Sequence, residues 1–402
     1  MMKKKMNIRK SLKIKELIDK KPTITFILFV AFSVLLLLIG NQIATRNFNY
    51  SESRYDYYRT DTPYFTGRIT AIYLHNHLLD EPSLSFMHML DNIVFEITNG
   101  PRRGHEISLS AHQIDLDDLF MFNELPPQVG DSVILRHNVV FGGFVTFYEY
   151  NRTHYLSFLF VLLVIIILIY GKLRGMNILI SLAFTYMSVF FMLIPAIFSG
   201  YNIYVAVILM AIYVVFTTIL IILGFNKKAY ATIIICIIGL FFSYILTALL
   251  LQFLNFTTFI DGSIREMIRI NRGEWDLNLN GILFAAIIIG CLGALMDTSI
   301  TVSSALWELK VKGNINDIKS FIRSGINIGK DTFGTQVNNL VLAYIGSSFP
   351  LFVAMYFVSV EMGAILSLEI VIFEIIRALI GAFILLVCIP ISAFVCGYLY
   401  KE

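Results

Sequence analysis

Between Gly290 and Ser304 this chain gathers residues able to hold a cation or pass a proton. Gly290, Gly293, Asp297, Thr301 and Ser304 recur every three or four positions, so a helix places them on one face. The glycines allow close backbone approach beside one carboxylate and two hydroxyls. Along a helix rising about 1.5 Å per residue, Asp297 lies roughly 20 Å from Lys310, too far for its short side chain to reach water. A carboxylate at membrane depth costs about 2.5–3.5 kcal/mol on insertion scales and is normally turned inward. The face is therefore expected to look inward, with Asp297 either an ion or proton site or an interhelical hydrogen-bond acceptor. The next apolar stretch opens with Asp331, Thr335, Gln336, Asn338 and Asn339, too polar for lipid. These amides either line the same cavity or tie helices together. In the last stretch Glu374 and Arg377 stand three apart with Gly381 beyond them, as a structural ion pair or a gate.

Other chemistries lack their residues. The glycine-rich segments have no strand-to-helix context for a phosphate loop, and no Gly-x-Ser-x-Gly, His-Glu-x-x-His or Cys-His pairing occurs, so an enzyme is not expected. A membrane hydrolase using Asp297 with Asp331 would need two carboxylates that lie several turns apart in depth to meet. No cofactor is expected. Cys236, Cys291, Cys388 and Cys396 sit inside apolar runs as small hydrophobes, without zinc or redox spacing or a disulfide framework. His75 and His77, two apart on an expected strand, could share a face and bind a metal, although apolar spans exclude histidine anyway.

The elements that must position these residues follow from composition. With 57% hydrophobic and 15% charged residues, the chain is more apolar than soluble domains. The net charge of +3 is small and scattered, which excludes nucleic acid as a partner. A crossing helix needs about 20 apolar residues. Thr23–Gln42 qualifies and follows a basic tail at 1–22, so it reads as an uncleaved transmembrane anchor over 23–43 with a cytoplasmic N-terminus. Seven further spans are expected in the region 154–402, at about 154–171, 178–198, 203–223, 229–254, 281–305, 331–349 and 372–399. Lys172, Arg174, Lys227, Lys228 and the run from Lys310 to Lys330 alternate with loops lacking basic excess, which assigns them to the cytoplasm. Pro350–Val360 is apolar but short, and suits a re-entrant or interfacial segment.

Residues 44–153 differ in kind. Stretches such as 66–73, 92–98, 106–110, 132–136 and 144–150 alternate with period two and are divided by turn signals such as Asn99-Gly100 and Gly130-Asp131. Five short strands imply a small OB-like barrel outside the cell, with a core from Ile69, Ile72, Val94, Phe95, Ile97, Val133 and Leu135. The fold class is thus a mainly α polytopic bundle of about eight spans, with a β-barrel inserted after the first.

Gly290-Cys-Leu-Gly-Ala-Leu-Met-Asp297 with Ser303-Ser304-Ala-Leu-Trp-Glu308, Gly325-Ile-Asn-Ile-Gly-Lys-Asp331 with Gly334-Thr335, Leu342-Ala-Tyr-Ile-Gly346, and Glu374-Ile-Ile-Arg377 with Gly381 and Pro390 resemble the YibE/F family of bacterial membrane proteins. Thr66-Gly-Arg-Ile69, Gly100-Pro-Arg-Arg-Gly104 and Tyr150-Asn-Arg152 are similar to its longer, YibE-like members, so the resemblance runs from about residue 64 to the end. It implies an architecture and a bacterial cell membrane, and little chemistry. The function expected is a transporter or permease-like protein for a small solute or ion. The alternative is an envelope assembly or signalling protein whose outer domain binds a partner. Its expected partners are the lipid bilayer and a second membrane subunit, either another copy or a relative of the same family.

Overall fold

The computed structural model describes residues 25–46, 64–74, 90–100, 103–110, 114, 125–138, 144–254, 278–313, 317–357, 363 and 366–400. The basic tail and the pair His75 and His77 lie outside them. The chain divides into two compact units, residues 49–170 and residues 1–48 with 171–402.

In the first unit, β1 (Tyr64–Leu74) is central, with β2 (Leu90–Ile97) and then β3 (Glu106–Ser110) on one side. On the other side lie β4 (Ser132–Asn138) and β5 (Phe144–Tyr150), all neighbours being antiparallel. The sheet curls until β3 approaches β5, but no ladder joins them. The expected OB-like barrel is therefore a half-barrel here. Alternation buries Ile93, Phe95 and Ile97 of β2 against Ile69, Val133 and Leu135. Val94, expected in this core, falls between two inward residues and is only half-buried on the other face. A bulge between Ile69 and Ala71 adds one residue and shifts the alternation, so Ile72 packs on the same core as Ile69. Gly130 turns at φ 104° and its N–H donates to the Ile69 carbonyl, closing β4 onto β1. The Tyr150 hydroxyl donates to the Leu125 carbonyl, and burial, aided by Asp131, pushes its pKa up to about 12.

Because this core is internal to the sheet, residues 60–152 expressed alone are expected to unfold in one cooperative thermal transition. Circular dichroism checks this, and a gradual, non-cooperative melt would show that the sheet depends on the helices.

Eight helices are described: α1 (Thr25–Ala44), α2 (Thr153–Ser188), α3 (Ile194–Phe198), α4 (Ile203–Leu223), α5 (Lys227–Leu254), α6 (Leu279–Gly313), α7 (Ile318–Phe357) and α8 (Glu369–Leu399). Counting Thr153–Phe198 as one, seven of them are long and apolar enough to cross a membrane. The spans expected at 154–171 and 178–198 are separated by no loop. A single non-helical residue, Lys172 at φ 48° and ψ −125°, kinks α2 between them. A π-helical turn at Val189–Leu193 then leads into α3. Asn202 and Asn226 accept backbone N–H bonds from Val205 and Ala229, capping α4 and α5.

Within the second unit, α6 packs against α4, α5 and α8, with Phe284, Ile288 and Leu295 fully buried. The approach is close: a Cβ on Gly239 of α5 would stand 2.4 Å from Leu295. Helix α7 lies against α8 by one small face. A Cβ on Gly329 would meet Ile389 at 2.3 Å, one on Gly325 would meet Ala393 at 3.0 Å, and Gly381 of α8 would meet Leu340 at 2.5 Å. This Gly-x-x-x-Gly spacing docks α7 and leaves most of its remaining circumference exposed.

Helix α7 also corrects two boundaries. It begins near Lys319 and Arg323, where a loop was expected, because Asp317 accepts the backbone N–H and the hydroxyl of Ser320 and caps it. These bonds hold the Asp317 carboxyl below its ordinary range. Nor does the helix stop at Pro350. Proline removes one N–H and crowds the carbonyl four residues earlier, yet the helix runs on to Phe357, as α8 runs on through Pro390. Pro350–Phe357 is thus the continuation of α7 instead of a separate re-entrant segment.

Helix α1 docks within the same unit. The hydroxyls of Tyr213 and Tyr201 donate to the carbonyls of Ser33 and Ile43 at 3.0 and 3.1 Å, and Ser199 donates to the Ala44 carbonyl. Gly40 lies against Met192.

Candidate functional site

The expected polar face of α6 is present, but it does not turn inward within one chain. Gly293 and Asp297 are exposed, while Gly290, Thr301 and Ser304 are partly buried. The inward side of α6 carries Ser299 and Ser303 instead, about half a turn away from Asp297. The Ser303 hydroxyl bonds Thr232 at 2.6 Å and its carbonyl accepts from Tyr400. Ser299 donates to the Leu295 carbonyl and meets Cys388 Sγ at 3.3 Å, and Ser392 donates to the Cys388 carbonyl one turn on. These buried hydroxyls mostly satisfy themselves locally, and their spacing of four residues (Ser299 and Ser303, Cys388 and Ser392) was a readable sign of a second face. All four cysteines are free and buried.

Of the expected partners, Gln336 alone is brought to Asp297. Its Nε2 donates to Asp297 Oδ2 at 2.8 Å, and the other carboxylate oxygen has no partner among the described residues. Gly293, one turn before Asp297, has nothing within 4 Å of where a Cβ would stand, so the floor beside the carboxylate is open. The result is a carboxylate on an otherwise apolar helix, steadied by one amide and accessible on one side. Such an arrangement can accept a cation or a proton, or hydrogen-bond a polar solute.

Asn338 follows Gln336 by two residues and therefore stands on the opposite side of α7; it is exposed and makes no hydrogen bond among the described residues. Asn339 and Asp331 are likewise exposed and make no hydrogen bond to Asp297, and the Thr335 hydroxyl donates to the Thr332 carbonyl.

Two turns from Asp297, about 10 Å along α6, a second polar group surrounds Gly290. The absence of a side chain there admits the Tyr344 hydroxyl, which would stand 2.5 Å from a Cβ, and leaves Arg377 at 3.7 Å. Arg377 bridges to Glu374 at 3.4 Å, with both side chains largely buried, and lies over the rings of Phe373 and Tyr344. Tyr344 was not singled out from the sequence, since an aromatic at this depth reads as packing. Arg377 of α8 thus lies beside Gly290 of α6 and Tyr344 of α7. The described residues include no cluster of three or more His, Cys, Asp or Glu side chains placed to hold a metal ion.

Residues 159–402 match a family described as YibE/F-like protein, which covers the helical region that carries Asp297, Gln336 and Arg377. The sheet of residues 64–150 lies outside that match. No curated protein and no solved structure matches the chain.

Proposed function

The chain belongs to the YibE/F-like protein family, and on that premise we propose that it is a multi-pass cell-membrane protein that moves a small solute or ion past Asp297. One observation carries this reading: a carboxylate in the middle of an apolar helix is left half-satisfied beside an open glycine. A side chain serving only to join helices would have both oxygens occupied, because an unpaired charged group in a low-dielectric setting is costly. The ligand class that fits is a cation, a proton-coupled solute or another polar molecule able to donate to a carboxylate. A tracer-uptake screen in proteoliposomes comparing the native chain with Asp297→Asn tests it. Uptake of no cation or polar solute by the native chain would sink the proposal.

The orientation proposed with it counts the two segments of Thr153–Phe198, divided at Lys172, as two crossings, and puts the N-terminus and the basic end of α7 in the cytoplasm and the sheet unit outside. In intact cells, a thiol reagent that cannot cross the membrane is expected to modify Ser108→Cys and spare Lys312→Cys. The native cysteines are buried and add little background. The opposite labelling pattern would invert the topology.

A further inference from the structure

The exposed side of α7 carries a second feature, one that does not depend on transport. Thr335, Asn338, Leu342, Ile345 and Phe349 follow one another at alternating steps of three and four residues. All five are exposed, Leu342 by 56% and Phe349 by 59%, and they lie opposite the Gly325, Gly329 and Leu340 face that docks on α8. Alternation of three and four is the spacing of a seam between two parallel helices, whereas a helix facing only lipid needs no such order.

Asn338 lies about 12 Å along the helix beyond Lys330, within hydrocarbon depth if α7 crosses a bilayer. Its carboxamide has no partner among the described residues. Lipid tails offer it none. We propose that two copies of this chain pair in the membrane through this seam of α7, with Asn338 bonding its own counterpart at the centre.

Three points select a second copy as the occupant. A carboxamide is both donor and acceptor, so it can bond an identical group across a two-fold axis, which a lone charge cannot. The seam from Thr335 to Phe349 carries no charge, so nothing on it repels itself. Copies inserted in one orientation present α7 parallel to α7, so residues of equal number meet, the arrangement in which a single buried Asn fixes register. Gly346 flanks the line and has nothing within 4 Å of where a Cβ would stand, leaving room for a close neighbour. Asp331 falls on the same line one step nearer the basic end, beside Lys330, where water screens like charges.

The test uses the purified full-length chain reconstituted at low density in lipid vesicles, where only copies of itself are available. Under mild oxidation, Leu342→Cys and Ile345→Cys are expected to give disulfide-linked dimers. Leu379→Cys, 62% exposed on α8, and Leu340→Cys, packed on Gly381, are expected to give none. Asn338→Leu should weaken pairing about three- to tenfold, the scale of one membrane hydrogen bond, and Asn338→Gln should retain it. Because Asn338 is exposed, neither change threatens the fold of the single chain. Single-molecule counting that finds only monomers would overturn the proposal, as would cross-linking at Leu379→Cys equal to that at Leu342→Cys. Pairing unchanged by Asn338→Leu would also overturn it. So would cross-linking in cells that couples Leu342→Cys to a different protein in place of a second copy.

Discussion

Gly329→Leu is expected to prevent the helical unit from assembling, whereas Gly293→Leu is expected to leave it intact. Both residues look alike in the sequence: each is a glycine one turn or less from a polar group on a crossing-length helix. Their surroundings differ. A single added carbon at Gly329 would already stand 2.3 Å from Ile389, and the full leucine would drive α7 away from α8 along the face that also includes Gly325 and Leu340. Overpacking a filled core costs about 1–3 kcal/mol even where neighbours can yield. Here the obstacle is a β-branched side chain on a buried helix, Ile389, which has little rotamer freedom. At Gly293 a new side chain meets nothing within 4 Å. Thermal denaturation followed by size-exclusion chromatography in detergent reads the difference: aggregated or absent Gly329→Leu protein beside a monodisperse Gly293→Leu protein with a native melting temperature. Equal melting temperatures for the two would mean that α7 does not pack through its glycines.

That contrast marks where sequence reading stops. Alternation located all five strands, because a period of two is written locally and each strand needs only its own residues to show it. It failed at Val94 for a local reason as well. The core was drawn from both members of an adjacent pair, Val94 and Phe95, although a strand can bury only one of them. The spacing that joins Ile69 to Ile72 depends on a bulge that no residue announces. Among the helices, existence followed from hydropathy, but interruptions did not. Lys172 kinks α2 where a loop was expected, and Pro350 lies inside α7 without ending it. The shared face of Gly290, Gly293 and Asp297 was legible from spacing alone. Which way it turns was not, since that is decided by which neighbours α6 meets, and Ser299 and Ser303 won the inward side. The same limit applied to the polar start of α7. Gln336 and Asn338 were grouped by composition, yet a two-residue step puts them on opposite sides of a helix, one toward Asp297 and the other away from it.

Asp297→Asn is expected to abolish uptake while the protein still inserts and folds. The amide matches the carboxylate in size, and its oxygen can still accept the Gln336 Nε2–H bond, so the α6–α7 contact survives with a stability change of about 1 kcal/mol or less. What disappears is the negative charge beside the open floor at Gly293. A bound cation loses its counter-charge, and a shuttled proton loses the group that would carry it, so either mode of action fails together with the charge. Gln336→Leu provides the complementary case. It removes the one donor to Asp297 while leaving the charge in place, so activity should fall only in part. Uptake measured in vesicles made from the three proteins separates the alternatives. Loss in Asp297→Asn with partial activity in Gln336→Leu supports an ion or proton site at Asp297. If Asp297→Asn kept native uptake while Gln336→Leu lost stability, the pair would be an interhelical hydrogen bond and nothing more, and the pathway would have to run elsewhere.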